Sequence, residues 1–199
     1  MFQSVLLLAP HLDDVELGAG GLVAKLSDGG SYITYMGFYA PPELRNEFHE
    51  SAEILGIDEV HLLEYERRTF PGHRQEILQI LYDYDKSHNV DLVLTPATTD
   101  IHQDHQTVTN EAIRAFRRST ILGYEVPGNN IELHQRCYVP LDEKHVKKKV
   151  EALLCYKSQI PTRGLKFTEK YTRSRIINYG AHIQAEYAEM FEVIKLVIT

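Results

Sequence analysis

Short uninterrupted apolar runs alternate along this chain with stretches whose apolar residues recur every three or four positions. Ser4–Ala9 (SVLLLA) and Asp91–Thr95 (DLVLT) are of the first kind, as expected of strands buried on both faces of a sheet. Tyr32–Tyr39 (YITYMGFY) is β-branched and aromatic, and Val60–Leu63 and Ile121–Val126 make two shorter strands. Between them, Leu17–Leu26 has helical spacing and stops at Ser27-Asp28-Gly29-Gly30. Pro42–Leu55 is a helix closed by Gly56. Gln75–His88 carries Ile77, Leu78, Ile80, Leu81 and Tyr84 on one face, and Asp104–Arg118 is a fourth helix. Strands and helices in this order imply an α/β fold: a Rossmann-like, doubly wound, mostly parallel sheet with helices on both faces.

From about Pro127 the rhythm changes. The pattern predicts a strand over Ile131–Val139, a helix from Leu141-Asp142 to about Ser158, an irregular stretch over Pro161–Arg173, a helix over Ser174–Ala185 and a closing strand over Met190–Ile198. No linker, repeat or low-complexity segment interrupts the chain. Residues 1–199 are therefore expected to form one domain, with 1–126 as its βα core and 127–199 as its C-terminal part.

At 199 residues the chain is long enough to bury a substantial core. Its formal net charge of −7 argues against a nucleic-acid partner, and Lys147-Lys148-Lys149 reads as a solvated helix face. The two cysteines, Cys137 and Cys155, form no CxxC pair, which suits a reduced, cytoplasmic setting. The opening MFQSVLLLAP lacks a basic flank and is too short for a signal or membrane segment, so a soluble protein without a membrane span is expected.

Chemistry concentrates at two strand ends. After the first strand the chain reads APHLDDVELGAGG, with His11, Asp13 and Asp14 within four positions. After DLVLT it reads PATTDIHQDHQ, with His102, Asp104 and His105 equally close. In open α/β sheets ligands bind beyond the carboxyl ends of the strands, where both clusters fall. Taken singly, Asp13-Asp14 would serve as a helix cap and the histidines as surface loop residues. Taken together they make a metal crevice, since two histidines and one carboxylate complete a catalytic site with an open position and leave a carboxylate over as general base. The residue types alone do not say which aspartate does which. Gly18-Ala19-Gly20-Gly21 lacks the G-x-G-x-x-G spacing, and acidic neighbours would repel a pyrophosphate, so the glycines read as close-packing residues.

HLDDVELGAGG followed by DIHQDHQ resembles the two signature motifs of the PIG-L/LmbE-like family of zinc-dependent N-deacetylases. LRNEFHESAEILGI, Ser158-Gln159 and AEYAEMFEVI extend the likeness along nearly the whole chain. Leu12 replaces the family's usual proline, Pro10 stands where alanine is common, and Val15-Glu16 replaces a glutamate directly after the aspartates. Tyr156 lies near a position where many relatives have histidine. The resemblance implies His11, Asp14 and His105 as metal ligands and Asp13 as the base acting on water. It implies His102 as oxyanion stabiliser or proton donor to the leaving amine, Asp104 as the orienter of a histidine, and Arg45 as a substrate contact. The implied metal is zinc, although two histidines and a carboxylate also suit Fe2+. The implied reaction is hydrolysis of an N-acetylated sugar, and the implied assembly is a homo-oligomer. Other readings of the same residues are a hydrolase of a different amide or ester, a non-catalytic carbohydrate-binding relative and a nucleotide-binding protein.

Overall fold

The computed structural model describes residues 2–132, 134 and 136–198. Five strands run parallel: β1 (Ser4–His11), β2 (Tyr32–Tyr39), β3 (Glu59–Leu62), β4 (Leu92–Pro96) and β5 (Thr120–Tyr124). Two more, β6 (Cys137–Leu141) and β7 (Tyr187–Lys195), join antiparallel, in the order β3-β2-β1-β4-β5-β7-β6. The expected α/β, doubly wound, mostly parallel sheet is therefore present.

The apolar runs have two faces because successive strand side chains point oppositely. Val5, Leu7 and Ala9 of β1 pack with Leu44, Phe48, Ala152 and Leu153 on one side. Leu6 and Leu8 pack with Ile77, Leu81, Val108 and Ala112 on the other. The first face carries α1 (Asp14–Asp28), α2 (Pro42–Leu55) and α5 (Glu143–Leu154), and the second carries α3 (Arg74–Ser87) and α4 (Gln103–Ala115). The chain winds outward from β1 to β3 and then returns to place β4 on the opposite side of β1. That reversal opens a crevice between the carboxyl ends of β1 and β4, the switch point where such sheets bind ligands.

Helix α1 is buried on nearly every side, and its glycines explain how. A Cβ on Gly18 would stand 2.5 Å from the Tyr124 ring and 2.8 Å from the Glu125 carbonyl oxygen, and one on Gly21 would stand 2.4 Å from Leu141. Glu189 of β7 reaches into the space so left and accepts the Gly21 and Leu22 amides at 2.9 and 2.6 Å. Lys149 of α5 donates to Glu189 at 2.6 Å and to the Leu17 carbonyl at 2.9 Å. Lys149 is thus buried, which corrects the reading of the lysine run as a solvated face. A helix turns about 100° per residue, so the third lysine points inward while Lys147 stays exposed.

The C-terminal part differs most from expectation. β6 begins at Cys137, later than Ile131; of that expected strand, Leu133 and Gln135 lie outside the described residues. The stretch expected to be irregular holds α6 (Ile160–Arg163), a 3-10 turn and the start of α7 (Glu169–Ala181). Pro161 sits in the first turn of α6 instead of preventing it, because that turn needs no amide there. Thr168 caps α7 by accepting the Tyr171 amide, so that the helix begins five residues before the expected start. Among the described residues no helix is long and apolar enough to cross a membrane.

Candidate metal centre

β1 delivers His11 at its last position, and the turn into α1 delivers Asp13 and Asp14. β4 leads through Asp100 to His102, which caps α4, and to Asp104 and His105 in its first turn. His11 Nδ1, His105 Nε2 and Asp14 Oδ2 form a triangle, with separations of 3.1 Å between the nitrogens, 3.3 Å from His11 to Asp14 and 3.2 Å from His105 to Asp14. Ligands about 2 Å from a tetrahedral ion lie roughly 3.3 Å apart, so the triangle has the dimensions of one face of such a site. The donor set and its spacing therefore fit a divalent metal. His11, His102 and His105 also bring ring nitrogens within 4.8 Å of one another.

Each histidine of the triangle is held from behind by a carboxylate, the arrangement that fixes the tautomer of a metal-binding imidazole. His105 Nδ1 meets Asp100 Oδ2 at 2.7 Å, and His11 Nε2 meets Asp104 Oδ2 at 3.2 Å. Asp100 also accepts the His102 amide at 2.8 Å. Asp104 accepts the Arg68 amide at 2.7 Å and the Phe70 amide at 3.3 Å, tying the loop between β3 and α3 to the centre. Arg68 adopts a left-handed conformation, φ 69°, to present that amide.

The charges follow from burial and neighbours. Burial lowers the His105 pKa, but Asp14 and Asp100 outweigh it and bring it to about 10. Burial opposes the proton on His11 too, yet bonds to Asp104 and Asp14 raise its pKa. Asp14 is buried, which favours its neutral form, but His105 and His11 hold it well below the usual carboxylate range. His102 differs: burial and the two neighbouring histidines push it down to about 4. Its Nδ1 accepts the Asp104 amide at 3.2 Å, which assigns its proton to Nε2.

Asp13 is the exception in the cluster. It is 1% exposed, and neither side-chain oxygen has a hydrogen-bond partner among the described residues. Burial first, and then the adjacent Asp14, push its carboxyl up to about 7. Its nearest cation is Arg163 of α6, at 3.6 Å. A cavity of about 200 Å³ opens above His11 and Asp13, walled by Tyr39, Leu44, Arg67, Gln159 and Arg163 among others.

The structure thus brings together six of the seven residues singled out from the sequence. The seventh, Arg45, lines a neighbouring cavity of about 310 Å³. Its guanidinium bonds the Ala40 carbonyl at 2.9 Å and Glu64 at 2.7 Å, not Glu47 or Glu50. Glu47 instead accepts from the amide and hydroxyl of Ser158, which docks the segment before α6. Asp100 and Arg163 were not singled out. Asp100 stands inside the quoted motif, and the need of a ligand histidine for a carboxylate behind it was the available signal. Nothing local announces that Arg163 approaches Asp13. Glu16 is also buried, in a socket where Ser51 donates at 3.0 Å and Tyr156 at 2.8 Å.

Comparison with known proteins agrees with this picture. The family described as PIG-L, GlcNAc-PI de-N-acetylase, matches residues 42–116, which include the second cluster. A diacetylchitobiose deacetylase of Thermococcus kodakarensis is 25% identical, covering 94% of this chain and 81% of the relative. The solved N,N'-diacetylchitobiose deacetylase of Pyrococcus horikoshii superposes with a TM-score of 0.76 at 23% identity, over 97% of this chain and 84% of that one. The same fold appears in a 4-carboxy-2-hydroxymuconate hydratase of Pseudomonas putida, at a TM-score of 0.77 and 17% identity over 99% and 98% of the two chains. The family match and the near full-length likeness to deacetylases bear out the PIG-L/LmbE-like resemblance carried by the two motifs.

Proposed function

We propose that the protein is a metal-dependent hydrolase that removes the acetyl group from an N-acetylglucosamine-type sugar or glycoconjugate. One observation carries the reading: a buried carboxylate with no partner, Asp13, beside a triangle of donors sized for a divalent ion. A structural carboxylate at such a depth would be hydrogen-bonded, whereas a general base must keep an oxygen free for its water. His11, Asp14 and His105 would hold zinc, or Fe2+, which when bound supplies Lewis-acid activation of water and of the acetamide carbonyl.

In this reading Asp13 takes a proton from the attacking water as the new C–O bond forms. His102, neutral and carrying its proton on Nε2, donates a hydrogen bond to the oxygen on which charge develops. The proton on Asp13 then passes to the departing nitrogen as the C–N bond breaks, giving acetate and a free amine. Asp100 and Asp104 keep the two imidazoles of the triangle in the tautomers that coordination needs. Arg45 contributes to substrate binding from the neighbouring cavity.

The test measures bound metal and acetate release for the native protein and for Asp13→Ala. The variant should retain its metal and lose about 10²–10⁴ in rate, the usual worth of a positioned base. A variant as active as the native protein would remove Asp13 from the reaction. Loss of metal from Asp13→Ala with retention in Asp14→Ala would exchange the two roles. Release of acetate from no N-acetyl sugar would point to another amide or ester.

A further inference from the structure

With the acetamido group at the metal centre, the rest of the sugar must occupy the cavity above His11 and Asp13. Two arginines wall that cavity from different elements: Arg67 from the loop between β3 and α3, and Arg163 from the end of α6. Among the described residues neither guanidinium donates a hydrogen bond to the protein. Arg67 has no carboxylate within 4.0 Å, and the nearest to Arg163 is Asp13 at 3.6 Å, beyond bonding distance. Arg45, by contrast, already donates to Ala40 and Glu64.

Both arginines sit on anchored backbone. The residue after Arg67 donates its amide to buried Asp104 at 2.7 Å, and Gln103 bonds the carbonyl of that same residue. Arg163 donates its own amide to the Gln159 carbonyl at 2.8 Å, and Ser158 just before is pinned to Glu47. Holding these backbones in place lowers the ordering cost of a ligand that engages both side chains. Glu43 also lines the cavity, so the wall is not uniformly cationic and would reject a highly charged anion more than a singly substituted sugar.

Resting on that reading of the reaction, we propose that Arg67 and Arg163 form an anion-binding rim, and that the acetylated sugar carries an anionic substituent, a carboxylate or a phosphate. A neutral sugar would leave both guanidiniums to water. An anionic oxygen pair would gain charge-assisted bonds from a fork whose geometry matches carboxylate and phosphate alike.

The probes are N-acetylglucosamine, its 1-phosphate and N-acetylmuramic acid, which place no charge, a phosphate and a carboxylate on the same ring. Acetate release gives KM and kcat with the metal-loaded enzyme, and calorimetry on the Asp13→Asn variant gives binding without turnover. At least one charged sugar should show a KM and a Kd at least tenfold below those of the neutral one, and the tighter of the two identifies the anion. Raising the salt from ~50 mM to ~500 mM should narrow the gap. Arg67→Ala and Arg163→Ala should each collapse it, mainly through KM, and Arg67→Lys should restore part of it. Equal or tighter binding of the neutral sugar would overturn the rim, as would a gap that survives both alanine variants. Preferential binding of a charged sugar through Arg67 without acetate release from any probe would uphold the rim and reject the deacetylase reading.

Discussion

Replacing Asp13 by asparagine should make the metal-free protein more stable at pH 8 and less stable at pH 4. In the fold the Asp13 carboxyl titrates at about 7, against 3.8 in an unfolded chain, because burial and Asp14 both disfavour its charge. The sign follows from which state holds the proton. Between these two values the native protein binds more protons than the unfolded chain, so stability falls as pH rises. The difference is about three pH units, or ~4 kcal/mol, absent below pH 3.8 and complete above pH 7. Asparagine is neutral throughout and escapes this term. Its buried amide carries one more unpartnered donor than the neutral carboxyl at every pH, which costs about 1–3 kcal/mol. The variant should therefore lie ~1–3 kcal/mol below the native protein at pH 4 and a similar amount above it at pH 8. Urea denaturation in the presence of a chelator, at half-unit pH steps, measures the difference directly. A difference that stays flat across pH 4–8 would refute the assignment of an uncompensated buried charge to Asp13.

Three further outcomes follow from the geometry. His11 and His105 both hold their protons more tightly than ordinary histidine, His105 up to about 10. A metal takes only the unprotonated ring, so zinc binding at pH 7 should release at least one proton and tighten as pH rises, as calorimetry in buffers of different ionisation enthalpy would show. Asp100→Asn should weaken zinc affinity about 10–100-fold in a chelator competition, because it removes the carboxylate that holds His105 Nδ1 at 2.7 Å. Gly18→Ala should cost about 1–3 kcal/mol in denaturant unfolding, since its Cβ would press on the Tyr124 ring at 2.5 Å and on backbone at 2.8 Å.

Much of the fold was readable because the parallel strands are local signals: each is an apolar run closed by a turn, and each helix has its own period. Tyr32–Tyr39 and Pro42–Leu55 match β2 and α2 residue for residue. The C-terminal part was harder because its elements owe their limits to distant partners. β6 is defined by pairing with β7, fifty residues on, and α6 and α7 by docking beside the centre. The same distinction runs through the site. His11, Asp13 and Asp14 announce themselves by spacing, whereas which carboxylate faces His105 is a matter of how two strand ends approach. Lys149 shows the limit most clearly. Its neighbours in sequence are lysines, but its partner in space is Glu189, and nothing between residues 147 and 149 reveals it.

Fold and reaction separate at the same place. A hydratase and a deacetylase share this sheet at nearly equal TM-scores, so the doubly wound architecture alone does not choose between adding water to a carbon–carbon bond and cutting an amide with it. The choice rests with the side chains at the crevice. Both reactions need an activated water, which a metal held by the donor triangle would supply to either. Amide cleavage makes two further demands: a donor for the oxygen of a tetrahedral intermediate, and a base that returns its proton to nitrogen. In the proposed reaction His102, with its proton on Nε2, would meet the first, and a buried, unpartnered Asp13 the second. The charge on that carboxylate should cost the metal-free fold ~4 kcal/mol above pH 7. A chain that only had to fold would close it with hydrogen bonds, as Ser51 and Tyr156 close one oxygen of Glu16 one helical turn away. The contrast between Glu16, bonded through one oxygen, and Asp13, with neither oxygen bonded and open toward the cavity, is what supports Asp13 as the base of the proposed reaction.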